Sequence, residues 1–65
     1  MIKRKLAWVR KERGLSQDEL AEFVDISPAE LSKIEYGESE GTDPIWEKFS
    51  TILHTDIEIL KEMQQ

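Results

Sequence analysis

Apolar residues recur along the chain at the spacing of an α-helix. The residues with apolar neighbours three, four or seven positions away include Ile2, Leu6, Val9, Leu20, Val24, Leu31 and Ile34. Side chains spaced in this way share one face of a helix. No segment shows the sustained alternation of apolar and polar residues that is typical of a β-strand. The pattern therefore predicts an all-α protein.

Two serine residues mark the starts of the second and third predicted helices. Ser16 and Glu19 have the spacing of a capping box, in which the hydroxyl accepts from the third amide and the glutamate reaches back. Ser27 and Glu30 repeat this spacing, and Pro28 occupies the first helical position, where its missing N–H costs nothing. We therefore expect the second helix to start at about residue 17 and the third at about residue 28.

Other signals divide the rest of the chain. Gly37 is able to adopt the left-handed conformation that ends a helix, here the third. Asp43 and Pro44 open a fourth helix that runs to about residue 53, and Thr55 with Glu58 caps a short fifth one. The sequence thus predicts five helices with short connections in a single domain that spans residues 1–65.

Only three residues, 25–27, separate the second helix from the third, so these helices must cross steeply and pack together. Ala21 is small enough for a close crossing. Asp25 occupies the turn, where a positive φ is often needed, and aspartate tolerates this better than most non-glycine residues. The buried contacts at the crossing are expected from Leu20, Val24, Ile26, Leu31 and Ile34.

The charge of the chain is unevenly distributed. The net charge is −5, yet residues 1–13 carry six cations and one acid, whereas residues 14–65 carry three cations and thirteen acids. The six cations are Lys3, Arg4, Lys5, Arg10, Lys11 and Arg13. They are either candidate phosphate contacts or, like the acids, part of a solvated surface that keeps a small protein in solution.

The composition argues against catalysis and against membrane insertion. The chain has one histidine, His54, no cysteine and no Gly-rich phosphate loop, so we expect no enzyme activity, no cofactor and no metal site. Residues 1–13 lack the apolar stretch of a secretory signal, and no apolar run approaches the roughly 20 residues that cross a bilayer. We therefore expect a soluble, cytoplasmic protein.

Two stretches around the predicted turn carry a resemblance to a known family. They are Gly14-Leu15-Ser16-Gln17-Asp18-Glu19-Leu20-Ala21 and Ile26-Ser27-Pro28-Ala29-Glu30-Leu31-Ser32-Lys33-Ile34-Glu35-Tyr36-Gly37. Together they resemble the Xre-type helix-turn-helix family, which includes phage repressors and Cro. The resemblance implies a compact five-helix fold like that of the lambda repressor DNA-binding domain.

The resemblance also implies roles for particular residues. Arg10 and Glu35 match a partly buried ion pair that ties the first helix to the third. The third helix, at about residues 28–36, matches the recognition helix that lies in the major groove of double-stranded DNA. The positions that match DNA contacts are Gln17, Ser27, Pro28, Ala29, Ser32, Lys33 and Tyr36.

Several side chains of this set have a second interpretation. The first two residues of the recognition helix offer bases only apolar contact, so Lys33 is the best candidate for reading bases. Lys33 is equally consistent with a solvent-facing lysine paired with Glu30. Gln17 contacts a phosphate or is simply an exposed polar residue. Tyr36 offers its hydroxyl to a phosphate or packs against a neighbouring helix.

The loop after the third helix departs from the family pattern. In the family this loop commonly lies along the DNA backbone and carries Lys, Arg or Asn, whereas here residues 37–43 contain Glu38, Glu40 and Asp43. Acids beside phosphates weaken DNA binding by a monomer. The loop either opposes binding in this way or lies away from the DNA, and a dimer still gains from its second half-site.

Some aromatic residues and the apolar residues near the C-terminus indicate possible protein–protein interfaces. Trp8 lies about 200° around the first helix from Leu6, so we expect it to be exposed at a protein interface or folded over lysine stems. Trp46 and Phe23 are expected in the core or at its edge. The last predicted helix has more apolar residues than the core needs, and these favour a homodimer. They are Ile57, Ile59, Leu60 and Met63.

Two functions are consistent with these patterns. The first is a sequence-specific DNA-binding regulator, of phage or mobile-element type, that acts as a dimer on a two-fold operator. The second is a protein-interaction module, antitoxin-like or an anti-repressor, that keeps the helix-turn-helix scaffold and uses its acidic surface on a basic partner. A basic rim beside the recognition helix favours DNA, whereas an acidic face favours a protein.

Overall fold

The computed structural model describes residues 2–65, which form five helices and one two-stranded antiparallel sheet. The elements are β1 (Lys3–Arg4), α1 (Lys5–Glu12), α2 (Gln17–Val24), α3 (Pro28–Glu35), α4 (Asp43–Leu53), α5 (Ile57–Lys61) and β2 (Met63–Gln64). The five predicted helices are confirmed, whereas the sheet has no counterpart in the prediction. No helix within residues 2–65 has the length and apolar character needed to cross a membrane.

Hydrogen bonds to serine side chains fix the starts of α2 and α3. Ser16 Oγ accepts from the Glu19 amide at 3.1 Å, and Glu19 Oε1 accepts from the Ser16 amide at 2.9 Å, which completes the predicted capping box. Ser27 Oγ accepts from the Glu30 amide at 3.0 Å, and Pro28 is the first residue of α3. Both helices therefore begin where the sequence predicts.

Residues with a left-handed backbone conformation lie just before and just after the segment that contains α3. Asp25, in the turn after α2, has φ of 62° and ψ of 46°, as its position in the sequence predicts. Ala21 is buried, and its carbonyl accepts from the Ile26 amide at 3.0 Å. Gly37 follows the C-terminal end of α3 with φ of 78°. These turns set the length of α3 and its crossing with α2.

The core contains an aromatic pair among aliphatic side chains. Trp46 and Phe49 are buried, with ring centroids 5.3 Å apart in an edge-to-face arrangement. The residues that complete this cluster are Leu6, Val9, Leu20, Ala21, Val24, Leu31, Ile34, Leu53 and Leu60. Every helix contributes to it, so the position of α3 depends on the packing of all five.

Two apolar side chains lie differently from the prediction, and a third agrees with one of its two interpretations. Phe23, expected in the core or at its edge, is 62% exposed, because the buried side of α2 faces α3 and Phe23 lies beyond its edge. Ile2, which helical spacing places on the first helix, precedes the extended β1 and is 48% exposed. Trp8 is half-buried, and Lys11 Nζ lies 5.3 Å from its ring centroid, which agrees with the interpretation that the ring is folded over a lysine stem.

The predicted cap of the fifth helix is wrong. α5 begins after its N-cap, Asp56, and Thr55 lies two residues beyond the last residue of α4, to which it is hydrogen-bonded. The Thr55 amide donates to the Ser50 carbonyl at 3.3 Å, and Thr55 Oγ1 donates to the Leu53 carbonyl at 3.0 Å. Because that hydroxyl is engaged with α4, Thr55 and Glu58 do not form the expected capping pair.

The two ends of the described chain meet in the sheet. Lys3 pairs with Gln64, and Arg4 pairs with Met63. Met63 therefore lies in β2, which corrects its expected place in the last helix. Strands of two residues are too short to produce an alternating pattern, so this sheet leaves no periodic signal in the sequence.

Candidate nucleic-acid interface

α3 presents one side to the core and the other to solvent. Leu31, Ile34 and Glu35 are buried, and the helix contacts α1 and α2. The candidate DNA-facing positions fall within about 140° of arc at 100° per residue. They are Pro28, Ala29 and Lys33, which are exposed, and Ser32 and Tyr36, which are half-buried. The structure therefore brings these five residues onto one surface.

Lys33 extends from this surface without the partner that the second interpretation gave it. Glu30 Oε2 accepts from Ser39 Oγ at 2.7 Å instead. Within residues 2–65, the ion pairs are Arg4 with Glu40 and Arg10 with Glu35. The ammonium group of Lys33 is therefore not engaged by Glu30.

Ser27 and Gln17 lie at the N-termini of α3 and α2. The Ser27 hydroxyl is exposed and is oriented by the amide that it caps. Gln17 Nε2 donates to Glu35 Oε1 at 2.8 Å, so this side chain is half-buried rather than simply exposed. The sequence gives no signal for this contact, because its partners are 18 positions apart and on different helices.

A buried ion pair lies on the inner side of α3. Arg10 Nε is 2.7 Å from Glu35 Oε2, and Glu35 is fully buried. Arg10 Nη1 donates to the Leu15 carbonyl at 2.8 Å. Since Gln17 bonds the other carboxylate oxygen, both oxygens of Glu35 have partners, as a buried carboxylate requires. The residues paired by the family resemblance are thus in contact, and with Gln17 they connect α1, α2 and α3.

Arg4 is buried, although the charge pattern grouped it with solvated or phosphate-binding cations. Its Nε donates to the Ile34 carbonyl and its Nη1 to the Lys61 carbonyl, each at 3.0 Å. Nη2 lies 3.3 Å from Glu40 Oε1, and the guanidinium lies 5.3 Å from the centroid of the Trp46 ring. Arg4 therefore joins the ends of α3 and α5 and uses its donors inside the protein.

The other cations of residues 1–13 also divide into two groups. Arg10 is in the buried pair, and Arg13 Nε donates to the Leu53 carbonyl at 3.0 Å. Lys11 is exposed, whereas Lys3 and Lys5 are half-buried. The arginines of this segment therefore hold the fold together, and the lysines remain as candidate phosphate contacts.

The acidic loop, residues 37–43, is bonded to the core. The Gly41 amide donates to Ser39 Oγ at 3.3 Å, and Trp46 Nε1 donates to the Glu40 carbonyl at 2.8 Å. Gly41 has φ of 69°, and a Cβ on it would lie 3.0 Å from Trp46 Nε1, so a larger residue would be strained and crowded. The Glu40 carboxylate is 89% exposed but pairs with Arg4. The loop therefore has a defined path.

The outer side of α4 carries a shallow, mainly apolar groove. Its lining residues are Pro44, Glu47, Lys48, Thr51 and Ile52. Across the part of the chain that the structure describes, no group of three or more His, Asp or Glu side chains is placed to hold a metal ion.

The comparisons with known proteins agree with this geometry. A family model described as helix-turn-helix matches residues 6–60, a span that runs from α1 into α5. The family consists of DNA-binding regulators and is not an enzyme family. No curated protein matches the chain. The matched span contains the buried ion pair, the turn at Asp25 and the whole of α3.

Proposed function

The chain belongs to the Xre-like helix-turn-helix family, and on this premise we propose that it is a sequence-specific transcriptional regulator of the phage repressor or Cro type. In this proposal α3 lies in the major groove of double-stranded DNA as the recognition helix. The observation that carries it is the division of α3. Leu31, Ile34 and Glu35 anchor one side of the helix. On the opposite side Pro28, Ala29 and Lys33 are exposed to solvent.

The exposed side of α3 supplies the base contacts. Pro28 and Ala29 have no side-chain donors, so they contact thymine methyl groups. Ser32 donates to or accepts from either kind of base pair. Lys33 donates to the O6 and N7 acceptors of guanine, since its ammonium group is not engaged by Glu30. Lys33 is therefore the main source of discrimination between bases.

Phosphate contacts position the helix. The side-chain nitrogen of Gln17, Nε2, carries two hydrogens, and one of them is donated to Glu35. The second is donated to a phosphate, beside the free amides at the N-terminus of α2, which favour an anion. Ser27 and Tyr36 donate their hydroxyl hydrogens to further phosphates. These contacts fix the register of α3 on the duplex without reading sequence.

The regulator acts as a homodimer on a two-fold operator. A net charge of −5 makes the electrostatic affinity of one domain small. In a dimer, the second half-site is bound at a high effective concentration. Ile59 on α5 is 37% exposed, and Met63 is 47% exposed, so this end of the molecule offers apolar surface to a second copy.

The exposed acids of α2, together with the exposed Phe23, favour a second candidate, the protein-interaction module of antitoxin-like or anti-repressor type. Phe23 is 62% exposed, and the exposed acids on or next to α2 are Asp18, Glu19, Glu22 and Asp25. A helix that exposes both an aromatic ring and several carboxylates suits a basic protein partner. In this candidate the partner binds α2, and α3 serves only as scaffold.

Retention of duplex DNA by the purified protein tests the first proposal. Random and genomic-fragment pools are titrated at low and physiological salt, and the retained DNA is sequenced for the wild type, Lys33→Ala and Lys48→Ala. Lys48 is exposed on α4, so its replacement makes the same charge change away from α3. We expect the wild type and Lys48→Ala to select the same two-fold motif.

Lys33→Ala is expected to relax that motif at the position that Lys33 contacts and to weaken binding by about tenfold, since a base contact is worth about 1–3 kcal/mol. An unchanged motif and affinity in Lys33→Ala would remove its role in base reading. No retention by the wild type, even at low salt, would overturn the DNA-binding proposal and leave the interaction module.

A further inference from the structure

β1 is fixed against the C-terminal end of α3. Arg4 donates to the carbonyls of Ile34 and Lys61, each at 3.0 Å. The Lys5 amide donates to the Glu62 carbonyl at 2.6 Å, and β1 pairs with β2 along its length. The strand is therefore held both to α3 and to β2. Its residues have defined positions relative to the recognition surface, the DNA-facing side of α3 formed by Pro28, Ala29, Ser32, Lys33 and Tyr36.

Lys3 lies on the other side of this strand from Arg4. Successive side chains of a strand point to opposite faces, so the burial of Arg4 directs Lys3 outwards. Lys3 Nζ lies 5.1 Å from the centroid of the Tyr36 ring. Tyr36 is the C-cap of α3 and stands three residues after Lys33, about one helical turn further on. A residue of the recognition surface thus holds the Lys3 ammonium beside that surface.

The loop after α3 has no cation to contribute at this end of the helix. Its Glu38 and Glu40 are acidic, and Arg4, which pairs with Glu40, is buried. Lys3 brings the positive charge here from outside the loop. A lysine ammonium that lies over a tyrosine ring interacts through the ring face and keeps hydrogens to donate to an anion.

We propose that Lys3 and Tyr36 form a phosphate-binding site for the backbone of duplex DNA at the C-terminal end of α3. The site rests on the proposed function, and it takes the place of the basic loop that the family pattern leads one to expect. The Tyr36 ring positions the ammonium, which contacts a phosphodiester oxygen, while β1 pairing keeps the backbone of Lys3 in place.

The salt dependence of binding to random-sequence duplex DNA tests this site, because phosphate contacts release counterions whatever the base sequence. Lys3→Ala is expected to reduce the slope of log affinity against log salt by about 0.9, the value for one phosphate contact. Lys3→Arg keeps the charge and is expected to retain the slope. Lys48→Ala is the matched control and is expected to keep it as well.

A double-substitution cycle tests the part played by the tyrosine ring. Tyr36→Leu removes the ring that holds the ammonium, so Lys3→Ala is expected to weaken binding less in the Tyr36→Leu background than in the wild type. Tyr36→Phe keeps the ring and is expected to preserve the full effect of Lys3→Ala. Thermal unfolding of each variant distinguishes a lost contact from a lost fold.

The outcomes separate this site from the function on which it rests. A wild-type slope in Lys3→Ala, with DNA binding retained, would overturn the site and leave the DNA-binding proposal standing. Equal losses of slope in Lys3→Ala and Lys48→Ala would assign the effect to net charge and would also overturn it. Failure of the wild type to retain any duplex from the random and genomic pools at low salt would overturn the proposed function and this site together.

Discussion

Among single residues, Arg4 contributes to stability mainly through backbone carbonyls. Its Nε and Nη1 bond the carbonyls of Ile34 and Lys61, which lie in the last turns of α3 and α5. Carbonyls at helix ends lack partners within the helix, so a buried guanidinium is well suited to them. The Ile34 carbonyl also accepts from the Gly37 amide at 3.1 Å. The ion pair with Glu40 adds little, because that carboxylate is 89% exposed and screened by solvent.

Replacement of Arg4 is therefore expected to cost far more than replacement of its ionic partner. Arg4→Met removes both carbonyl hydrogen bonds together with the Glu40 contact, and it is expected to lower the free energy of unfolding by about 3 kcal/mol, mostly from the carbonyl bonds. Glu40→Ala is expected to lower it by less than about 1 kcal/mol. Urea denaturation followed by circular dichroism measures both. Equal losses would show instead that the surface ion pair dominates.

The role of Arg4 also marks a limit of prediction from the sequence. Arg10 and Glu35 are paired by the family resemblance, because both side chains are part of a recognisable pattern. Arg4 has two backbone carbonyls as its main partners, and since any residue supplies a carbonyl, such a contact leaves no pattern of residue types. Gln17 illustrates the same limit, because its contact with Glu35 depends on how α2 and α3 are packed.

At the scale of secondary-structure elements, α2 and α4 both end in left-handed residues that are not glycine. Asp25 has φ of 62° and His54 has φ of 54°. A side chain in this region brings Cβ close to the following carbonyl oxygen, at a cost of roughly 1–2 kcal/mol that glycine avoids. Glycine loses more backbone entropy on folding, which offsets part of that gain.

Substitution to glycine is therefore expected to have opposite signs at helix ends and within a helix. Asp25→Gly and His54→Gly are each expected to raise the free energy of unfolding by about 0.5 kcal/mol, the strain relieved less the entropy lost. Lys48→Gly, at an exposed position inside α4, is expected to lower it by about 1 kcal/mol. Thermal unfolding compares the three, and destabilisation at all three positions would contradict the assignment of strain.

Element boundaries are the part of the fold that the sequence predicts best, and the reason is physical. The capping box of Ser16 and Glu19 forms within four consecutive residues, so the residue types that mark the start of α2 are recognisable in the sequence. The strand pairing of Arg4 with Met63 joins residues almost sixty positions apart, and neither two-residue strand has a pattern of its own. Thr55 shows the converse error, because it is a suitable capping residue for α5, yet its amide and hydroxyl donate to carbonyls of α4.

For the whole molecule, the distribution of exposed apolar side chains bears on assembly. Phe23 is exposed on α2, whereas Ile59 is exposed on α5, and Met63 is exposed just beyond it. Helical spacing assigns these apolar residues to helix faces, but it does not determine which of them stay exposed once the core is packed. That depends on how the five short helices pack together, so the sequence alone places Phe23 in the core or at its edge.

Two matched substitutions test whether the proposed dimer forms through α5 or through α2. If two copies associate through α5, Ile59→Asp places a carboxylate in the interface of each and is expected to weaken dimerisation by at least about tenfold, or about 1.4 kcal/mol. Phe23→Asp makes the same kind of change on α2 and is expected to leave dimerisation unaltered, while it removes the aromatic contact required by the alternative basic partner. Sedimentation equilibrium measures both dissociation constants. Loss of the dimer in Phe23→Asp alone would place the interface on α2. Because α2 packs directly against α3, an interface on α2 would give the two recognition helices of the dimer a different spacing and orientation from those set by α5.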